Sequence, residues 1–340
     1  MPPAELYDAL VLVSFGGPER TEEVMPFLRR VAAGRAVPDR RLAEVAEHYY
    51  AAGGRSPIND QCRALLQALR AELAGTGLEI YWGNRNWHPF LADTVAQMRD
   101  DGVRRAAAFV TSAYGGYSSC RQYLEDIARA RAAAGPRAPV IDKLRLYYNH
   151  PGWVGPWATS LRRALQDAAP AGPEQAEVLF SAHSVPLAMP GADLYRAQVL
   201  ESARLVAERC GLRPGQWRVT WQSRSGGPGT PWLGPDVAAT VRQSQASTVV
   251  VVPIGFVSDH MEVVHDLDVE VAAAATQRGA RYVRAATVST DPGFVSMVRD
   301  LLLERQRASA PRLWLGPLGP WPLDCPTGHC TPPAGPGQAA

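Results

Sequence analysis

The chain has 340 residues and a formal net charge of +2, and both values restrict what it does. A charge this small gives no field that would attract nucleic acid or an anionic membrane. No apolar run reaches the roughly 18 residues of a membrane-spanning helix, and residues 1–5 lack the basic stretch of a signal peptide. We therefore expect a cytoplasmic protein that has no nucleic-acid partner and is long enough for two domains.

Short apolar runs alternate with amphipathic stretches along the whole chain. In the first half we predict strands at 9–15, 78–82, 106–111 and 144–148, with helices at 22–30, 58–73 and 121–134. In the second half we predict strands at 178–180, 218–221, 248–253 and 281–284, with helices at 194–210, 262–276 and 292–305. This alternation is typical of parallel sheets whose strands are joined by helical crossovers.

The two sets of strands predict two similar domains. We expect an α/β fold of two doubly wound, Rossmann-like domains with parallel sheets, at 1–148 and 149–312. Residues 313–340 are rich in proline and glycine and are predicted to be an extension rather than a domain. A crevice between the two domains is the expected ligand site.

His183 and Glu262 follow predicted strands of the second domain. His183 follows the apolar run 178–180 after Ser181 and Ala182, and Glu262 follows the run 248–254 after a short turn. The carboxyl ends of parallel strands carry the ligand crevice in such sheets, so the two side chains are expected to meet there. A histidine at such a place is often a hydrogen-bonded core residue, but the serines and the proline around this one favour a functional ring. A neutral imidazole and a carboxylate together bind a divalent metal, move protons, or do both.

Glu262 begins a row of acidic residues. Asp266 and Glu270 follow at four-residue spacing, which places the three carboxylates on one face of the predicted helix. Acidic stripes of this kind are common on solvated surfaces. Here the stripe starts at a strand end and has His260 and His265 beside it, which favours a path that attracts a hydrated cation or carries protons outward.

Several strand ends carry rings, hydroxyls and glycines that suit a large, flat, aromatic ligand with carboxylates. The tyrosine-rich segment 113–123 and the segments 221–223 and 230–235 follow predicted strands. Residues 53–57, Gly-Gly-Arg-Ser-Pro, place a hydroxyl and backbone N–H groups at a helix start, which is a natural anion site. Each segment alone also fits ordinary core packing, so their concentration at strand ends is the stronger signal.

With these residues assembled, the chain resembles the ferrochelatase family across nearly its whole length. The matching motifs are Ser-Ala-His-Ser-Val-Pro at 181–186, Gly-Phe-Val-Ser-Asp-His-Met-Glu at 255–262, Trp-Gln-Ser at 221–223 with Trp-Leu-Gly-Pro at 232–235, and Gly-Arg-Ser-Pro at 54–57. The compact length looks most like the coproporphyrin III ferrochelatases of actinobacterial type. The resemblance implies a chelatase-like fold with an interdomain porphyrin cleft. It also implies insertion of ferrous iron, as substrate, into coproporphyrin III to give a heme precursor.

The resemblance implies roles for single residues as well. His183 and Glu262 match the family's two metal-site residues, and Asp266 and Glu270 match the outer acids of its iron or proton path. The residues at the positions of the family's porphyrin contacts are Phe15, Arg29, His48, Tyr49, Ser56 and Tyr123. Phe15 stands where some relatives have a tyrosine that ligates the product's iron. A phenyl ring has no ligand atom, so packing against the macrocycle is the expected use.

The chemistry of insertion fits these residue types. A porphyrin loses two pyrrole N–H protons as the metal enters, and a cleft that holds the ring bent exposes its nitrogen lone pairs. Imidazole titrates near neutral pH, which makes His183 the candidate proton acceptor. Glu262 either holds the incoming iron or relays protons towards Asp266, and the sequence leaves that division of labour open.

The chain contains five cysteines, which in a cytoplasmic protein argue against a disulfide framework. Some ferrochelatases carry a 2Fe–2S cluster, and the resemblance places Cys120, Cys325 and Cys330 at three of its four ligand positions. The chain lacks the fourth cysteine. Asp324 or His329 would then complete the set, since non-cysteine ligands occur on such clusters. Free thiols in a loose tail are the alternative.

Two rival functions stay open. The first is a chelatase that acts on another tetrapyrrole or metal, such as protoporphyrin IX, or cobalt with a sirohydrochlorin. The second is a non-catalytic heme or metal carrier, although binding alone would not need a proton acceptor beside an acidic row. A monomer is expected from the resemblance to cluster-free bacterial relatives.

Overall fold

The computed structural model describes residues 7–34, 37–168, 176–225, 229–326, 328 and 330. The first of its two sheets consists of β1 (Ala9–Ser14), β2 (Glu79–Asn84), β3 (Arg105–Val110) and β4 (Val140–Lys143). The second consists of β5 (Ala176–His183), β6 (Trp217–Gln222), β7 (Thr248–Val252) and β8 (Arg281–Arg284). The strand orders are β2-β1-β3-β4 and β6-β5-β7-β8, and every neighbouring pair is parallel. The predicted α/β class with two parallel sheets is confirmed.

Helices connect the strands in both halves. In the first half they are α1 (Val24–Val31), α2 (Asp39–Ala51), α3 (Ile58–Glu72), α4 (Leu91–Asp100) and α5 (Gln122–Ala134). In the second half they are α6 (Pro151–Ala168), α7 (Ala192–Arg209), α8 (Val237–Gln243), α9 (Met261–Val263), α10 (Ala272–Gln277) and α11 (Pro292–Gln306). Every residue of β1 and β7 is buried, as expected for parallel strands covered on both faces. No helix in the described part of the chain is both long enough and apolar enough to cross a membrane.

The fourth strand of the first sheet is not where the sequence pattern places it. The predicted strand 144–148 lies just after β4, and β4 is the segment that pairs with β3. Leu144 still donates its N–H to the Ala108 carbonyl of β3 at 2.9 Å, but the apolar side chains of 144–148 then pack into the core. Tyr147 donates its hydroxyl to the Val110 carbonyl at 2.9 Å. The apolar composition of 144–148 therefore predicts correctly that these residues are buried, and it predicts wrongly that they form a strand. The pattern also does not reveal α6, because Pro156 argues against a helix interior.

One continuous apolar core joins the two halves. Leu12 of β1 and Phe180 of β5 belong to the same cluster of buried side chains. The buried Tyr114 hydroxyl also donates to the Ile254 carbonyl at 2.8 Å, across the two halves. The division into two sheets is thus clear, while the predicted boundary between 148 and 149 stays a prediction.

The residues that follow α11 are held against the body of the protein. Arg145 and Glu304 form a buried ion pair in which Nη2 lies 2.8 Å from Oε1. Both also bind the Leu313 backbone, Arg145 to its carbonyl at 2.8 Å and Glu304 to its N–H at 3.2 Å. Leu315 then donates its N–H to the Asn149 carbonyl at 2.8 Å. The start of the predicted extension, at Leu313 and Leu315, is therefore anchored to the body of the protein.

Candidate active site

His183 and Glu262 meet at the carboxyl end of the second sheet. His183 is the last residue of β5, and Glu262 lies in α9, which follows β7, the neighbour of β5. The two side chains approach to 3.6 Å between Nε2 and Oε2, and 34% and 52% of their surfaces remain exposed. The structure therefore brings this pair together at a place that a ligand can reach.

Each member of the pair shifts the pKa of the other. Burial alone would lower the pKa of His183, but the Glu262 carboxylate raises it above its ordinary value of 6.5, with help from the Ser184 carbonyl. Burial alone would raise the pKa of Glu262, but His183 and, more weakly, His260 lower it to about 2. Part of each side chain is open to solvent, so the burial that acts on these pKa values is due to the protein atoms packed around the pair. Near neutral pH the site holds a carboxylate beside an imidazole that takes up a proton readily.

Hydrogen bonds to the backbone fix the position of the imidazole. Nδ1 of His183 lies against the Ser184 carbonyl, a contact that only a protonated Nδ1 makes as a hydrogen bond. The Tyr195 hydroxyl donates to the His183 carbonyl at 3.1 Å. Nε2 is therefore the nitrogen that faces Glu262 and is available for proton transfer.

Asp266 and Glu270 of the acidic row lie in a π-helical stretch rather than in a regular α-helix. The predicted helix 262–276 is present, but Val264–Val271 within it has π geometry. Wider winding brings residues five apart onto one face, and the His265 Nε2 and Glu270 Oε1 atoms lie 3.3 Å apart. Sequence spacing gives no sign of such a stretch. π-Helical turns occur frequently at functional sites.

Asp266 is the carboxyl next to Glu262 along this row. Burial is the main cause of its raised pKa, and the carboxylates of Glu262 and Glu270 raise it further. Hydrogen bonds from Ser223 and Gln222 oppose the rise, and the resulting pKa is about 7. Two neighbouring carboxyls whose pKa values differ this much suit two different roles. Glu262, with the lower pKa, suits a metal ligand, and Asp266, with the higher pKa, suits a proton carrier.

Aromatic side chains of the first half lie against the same helix. Met261, the residue before Glu262, packs in an apolar cluster with Phe27 and Tyr49. Phe27 contacts the rings of Tyr49 and Phe15 edge-on, with centroid distances of 6.1 and 6.4 Å. Phe15 follows β1 and leaves 37% of its surface exposed. The first half therefore contributes an accessible phenyl ring to the surroundings of the pair.

His48 and Tyr49 of α2 reach the acidic row directly. The imidazoles of His48 and His265 stack with centroids 3.5 Å apart and planes 9° from parallel. Burial, and then the Glu262 carboxylate, raise the pKa of Tyr49, so its hydroxyl stays protonated. The structure therefore brings both of these predicted residues next to the row.

The other three predicted porphyrin contacts, Arg29, Ser56 and Tyr123, have no described contact with the acidic row. Arg29 is exposed and pairs with Asp39, with 3.6 Å between Nη2 and Oδ2. Ser56 is 2% exposed and Tyr123 5% exposed. The Arg85 guanidinium lies over the Tyr123 ring, 3.7 Å from its centroid. Little of the Ser56 and Tyr123 surface is open to a ligand in this conformation, so their contact with a porphyrin stays a prediction.

The sequence pattern gives no sign of Arg284, which connects the turn before α9 to the π-helical stretch that follows α9. Its guanidinium binds the two oxygens of Asp259 at 2.9 and 3.2 Å, and Oδ1 of Asp268 at 2.6 Å. The backbone N–H of Asp259 in turn donates to the Gln61 amide oxygen at 2.9 Å, across the two halves. No local pattern signals this role, because it depends on β8 lying beside β7 in the sheet.

Cys120 and Cys325 lie together at a cavity of about 230 Å³. A hydrogen bond from Cys325 lowers the pKa of the Cys120 thiol to about 6 against the effect of burial, with help from Lys143, the single lysine of the chain. The same contact raises the pKa of Cys325. Cys330 is buried and close enough to Cys120 to interact with it. The three predicted cysteines are therefore neighbours in the fold.

The fourth ligand position of the predicted cluster is not filled by the described residues. Asp324 lines the same cavity, but it pairs with Arg305 at 2.8 Å and its side chain is 89% exposed. His329 lies outside the described residues. Within the described ranges, no three histidine, cysteine or acidic side chains are arranged to hold a metal ion. The 2Fe–2S cluster therefore stays a prediction.

Comparison with known proteins gives the family of the chain. A ferrochelatase family model matches residues 7–306. The chain belongs to the ferrochelatase family. It is 51% identical to the coproporphyrin III ferrochelatase of Frankia alni, over 97% of this chain and 88% of that one. It is 50% identical to the coproporphyrin III ferrochelatase of Mycolicibacterium smegmatis, over 92% of this chain and 93% of that one.

A solved structure shares the fold of this ferrochelatase-family chain. SirB from Bacillus subtilis, solved with Fe3+, superposes with a TM-score of 0.56 at 12% identity, over 90% of this chain and 99% of that one. At this identity the likeness shows the fold alone. The predicted chelatase-like architecture of two parallel-sheet units is confirmed.

Proposed function

We propose that this chain inserts ferrous iron into coproporphyrin III to give Fe-coproporphyrin III in heme biosynthesis. The observation that carries the proposal is the His183–Glu262 pair, in which a proton-accepting imidazole lies 3.6 Å from a carboxylate with a pKa of about 2. The family supports the type of reaction. Two relatives that are 51% and 50% identical to this chain are named for coproporphyrin III.

In this proposal His183 accepts the pyrrole protons. Metal insertion releases protons from the macrocycle, so a base must lie within reach. Nε2 of His183 is the available nitrogen. The Glu262 carboxylate raises the pKa of the ring, which makes it a stronger proton acceptor near neutral pH. The proton then leaves along the acidic row, where Asp266 has a pKa of about 7.

Glu262 holds the iron. Its pKa of about 2 keeps the side chain ionised at every physiological pH, which suits a ligand for a divalent cation better than a group that must take up protons. Asp266 and Glu270 continue outward on the same helix and provide carboxylates for a cation that approaches the site. The proposal thus assigns the metal to Glu262 and the protons to His183.

The macrocycle lies against the first half of the chain. Phe15 offers an accessible ring for packing, and His48 and Tyr49 border the acidic row. Arg29 exchanges its exposed pair with Asp39 for a propionate, at little cost because exposed ion pairs are weak. Ser56 and Tyr123 are proposed as further porphyrin contacts, which requires a conformation that opens more of their surface than this one does.

Insertion of ferrous iron without air into coproporphyrin III and protoporphyrin IX, side by side, tests the substrate. We expect the higher kcat/KM with coproporphyrin III. Faster turnover of protoporphyrin IX would overturn the assignment of coproporphyrin III as the substrate, and the type of reaction would still hold. A protein that binds both porphyrins and metallates neither would be a carrier, which is the alternative function.

We also propose that Cys120, Cys325 and Cys330 hold a 2Fe–2S cluster, with Asp324 or His329 as the fourth ligand. The contact between Cys120 and Cys325 at a cavity of about 230 Å³ supports this. Such a cluster supplies one-electron redox chemistry when bound. Purification without air tests the proposal: bound iron and sulfide with visible absorption support it, and a colourless protein that lacks both overturns it.

We propose further that the chain acts as a monomer in the cytoplasm, as the sequence leads us to expect. Light scattering during size-exclusion chromatography tests the first point, and a stable dimer at micromolar concentration would overturn it.

A further inference from the structure

Gln222 and Ser223 hold the Asp266 carboxylate from the end of the neighbouring strand. Gln222 is the last residue of β6, and its Nε2 donates to Asp266 Oδ2 at 3.3 Å. The Ser223 hydroxyl donates to the same oxygen. Both donors come from outside the helix that carries Asp266, so the orientation of this carboxylate depends on the strand end.

The side chain of Gln222 is itself fixed. It is buried, and its Oε1 accepts a hydrogen bond from the Ser181 hydroxyl at 2.7 Å. Its Nε2 donates to the Glu262 carbonyl at 3.2 Å as well as to Asp266. The reversed amide would turn its oxygen towards two acceptors, so one orientation is strongly favoured. Gln222 is also the register partner of His183 in the ladder between β5 and β6. The residue that holds Asp266 therefore lies beside the proposed proton acceptor.

Ser223 has a left-handed backbone, with a φ of 60°. This conformation crowds Cβ against the following carbonyl and persists in a residue other than glycine only where the surroundings determine it. Ser223 is half-buried, so core packing does not account for the strain. The conformation accompanies the hydrogen bond from its hydroxyl to Asp266.

We infer that Gln222 and Ser223 are positioning residues for iron uptake, which occupy Oδ2 of Asp266 and leave Oδ1 oriented to bind ferrous iron before it reaches Glu262. This inference rests on the proposed function. A carboxylate that is already held loses less conformational freedom when a cation binds than a carboxylate that rotates freely. Neither residue exchanges a proton with the porphyrin, and the quantity that reports their effect on iron uptake is the KM for ferrous iron.

Substitutions at Ser223 separate the hydroxyl from the backbone. Glycine adopts a φ of 60° without strain, so Ser223→Gly removes only the hydrogen bond, whereas Ser223→Ala removes the bond and keeps the strain. We expect both variants to raise the KM for ferrous iron roughly fivefold, as for one lost hydrogen bond, with kcat and the KM for coproporphyrin III within about twofold of the parent. Asparagine tolerates this backbone and carries an amide donor, so Ser223→Asn should recover part of the iron affinity.

A double-variant cycle shows whether Ser223 acts through Asp266. In an Asp266→Ala background, Ser223→Gly should have no further effect on the KM for iron, since there is no carboxylate left to orient. The inference is overturned if Ser223→Gly keeps the parent KM for iron, or if its effect persists in full without Asp266.

Failure of the proposed function gives a different result, because the parent protein would then insert no iron into coproporphyrin III. Calorimetric binding of ferrous iron to the porphyrin-free parent and to Ser223→Gly still tests the inference in that case. Equal affinities would overturn it, and weaker binding by the variant would support it.

Discussion

The His183 imidazole lies 3.6 Å from the Glu262 carboxylate, and each group shifts the pKa of the other. The carboxylate raises the pKa of the base against the effect of burial, and the imidazole lowers the pKa of the carboxylate to about 2. Both effects depend on β5 and β7 being neighbours in the sheet, because only then do the segments after these strands meet.

Replacing His183 by alanine should lower kcat for iron insertion roughly a hundredfold to ten-thousandfold, the range that a positioned base contributes. Binding of coproporphyrin III, followed by fluorescence quenching, should change little. His88→Ala removes an exposed imidazole elsewhere in the chain and serves as the control. Parent-like turnover by His183→Ala would show that another group accepts the protons.

Replacing Glu262 by glutamine should move the titration of His183 to lower pH. The carboxylate is what raises the pKa of this imidazole, and without it burial lowers the pKa. The acid limb of the pH–rate profile should move in the same direction. NMR titration of the His183 ring signals in the porphyrin-free protein checks the shift, and an unchanged titration would mean that Glu262 does not control the base.

Asp266 should make the folded protein less stable as the pH rises. Its pKa is about 7 in the fold, against an ordinary value of 3.8, so the folded state holds an additional proton between these values. The stability that this proton provides is fully present below the unfolded pKa and is lost as the pH rises through the folded pKa. Asp266→Asn does not titrate, so we expect it to melt a few degrees above the parent at pH 8, as for a difference of about 1 kcal/mol.

The stability difference between Asp266→Asn and the parent should shrink towards zero as the pH approaches 4. Thermal unfolding followed by intrinsic fluorescence from pH 4 to pH 8 measures it. A difference that is constant over this range would contradict the raised pKa of Asp266.

Removing one partner of the Arg145–Glu304 pair should release the segment that follows α11. Both side chains are fully buried, and both bind the Leu313 backbone. Glu304→Gln leaves a buried guanidinium without its counter-charge and should cost about 3–5 kcal/mol. Limited proteolysis with mass spectrometry should then show the first cleavages after Leu313.

A matched double variant separates the charge from the packing at this pair. Arg145→Met with Glu304→Leu leaves no buried charge and should recover much of the stability lost in Glu304→Gln. First cleavages elsewhere in the chain would show that the pair does not anchor this segment.

The strands were the part of the fold that sequence could predict. β1 and β7 are continuous apolar runs buried on both faces, and such runs identify parallel strands in α/β folds. The predicted strand at 144–148 was wrong because the same apolar signal also marks chain that packs into a core after a strand has ended.

The approach of His183 to Glu262 could be predicted because both follow strands of one sheet. The π geometry of Val264–Val271 could not, since helix winding depends on packing and not on residue spacing. The bonds from Gln222 and Ser223 to Asp266 could not be predicted either. They depend on which strand lies beside β5 and on one left-handed residue.

Single-turnover insertion of ferrous iron into bound coproporphyrin III, without air, tests the division between His183 and Glu262 most directly. We predict that Glu262→Gln raises the iron concentration that gives half the maximal rate, while excess iron restores most of the rate. We predict that His183→Ala lowers the rate at every iron concentration and leaves the half-saturating concentration unchanged. The opposite pattern, with excess iron rescuing His183→Ala and not Glu262→Gln, would contradict the assignment of protons to His183 and iron to Glu262.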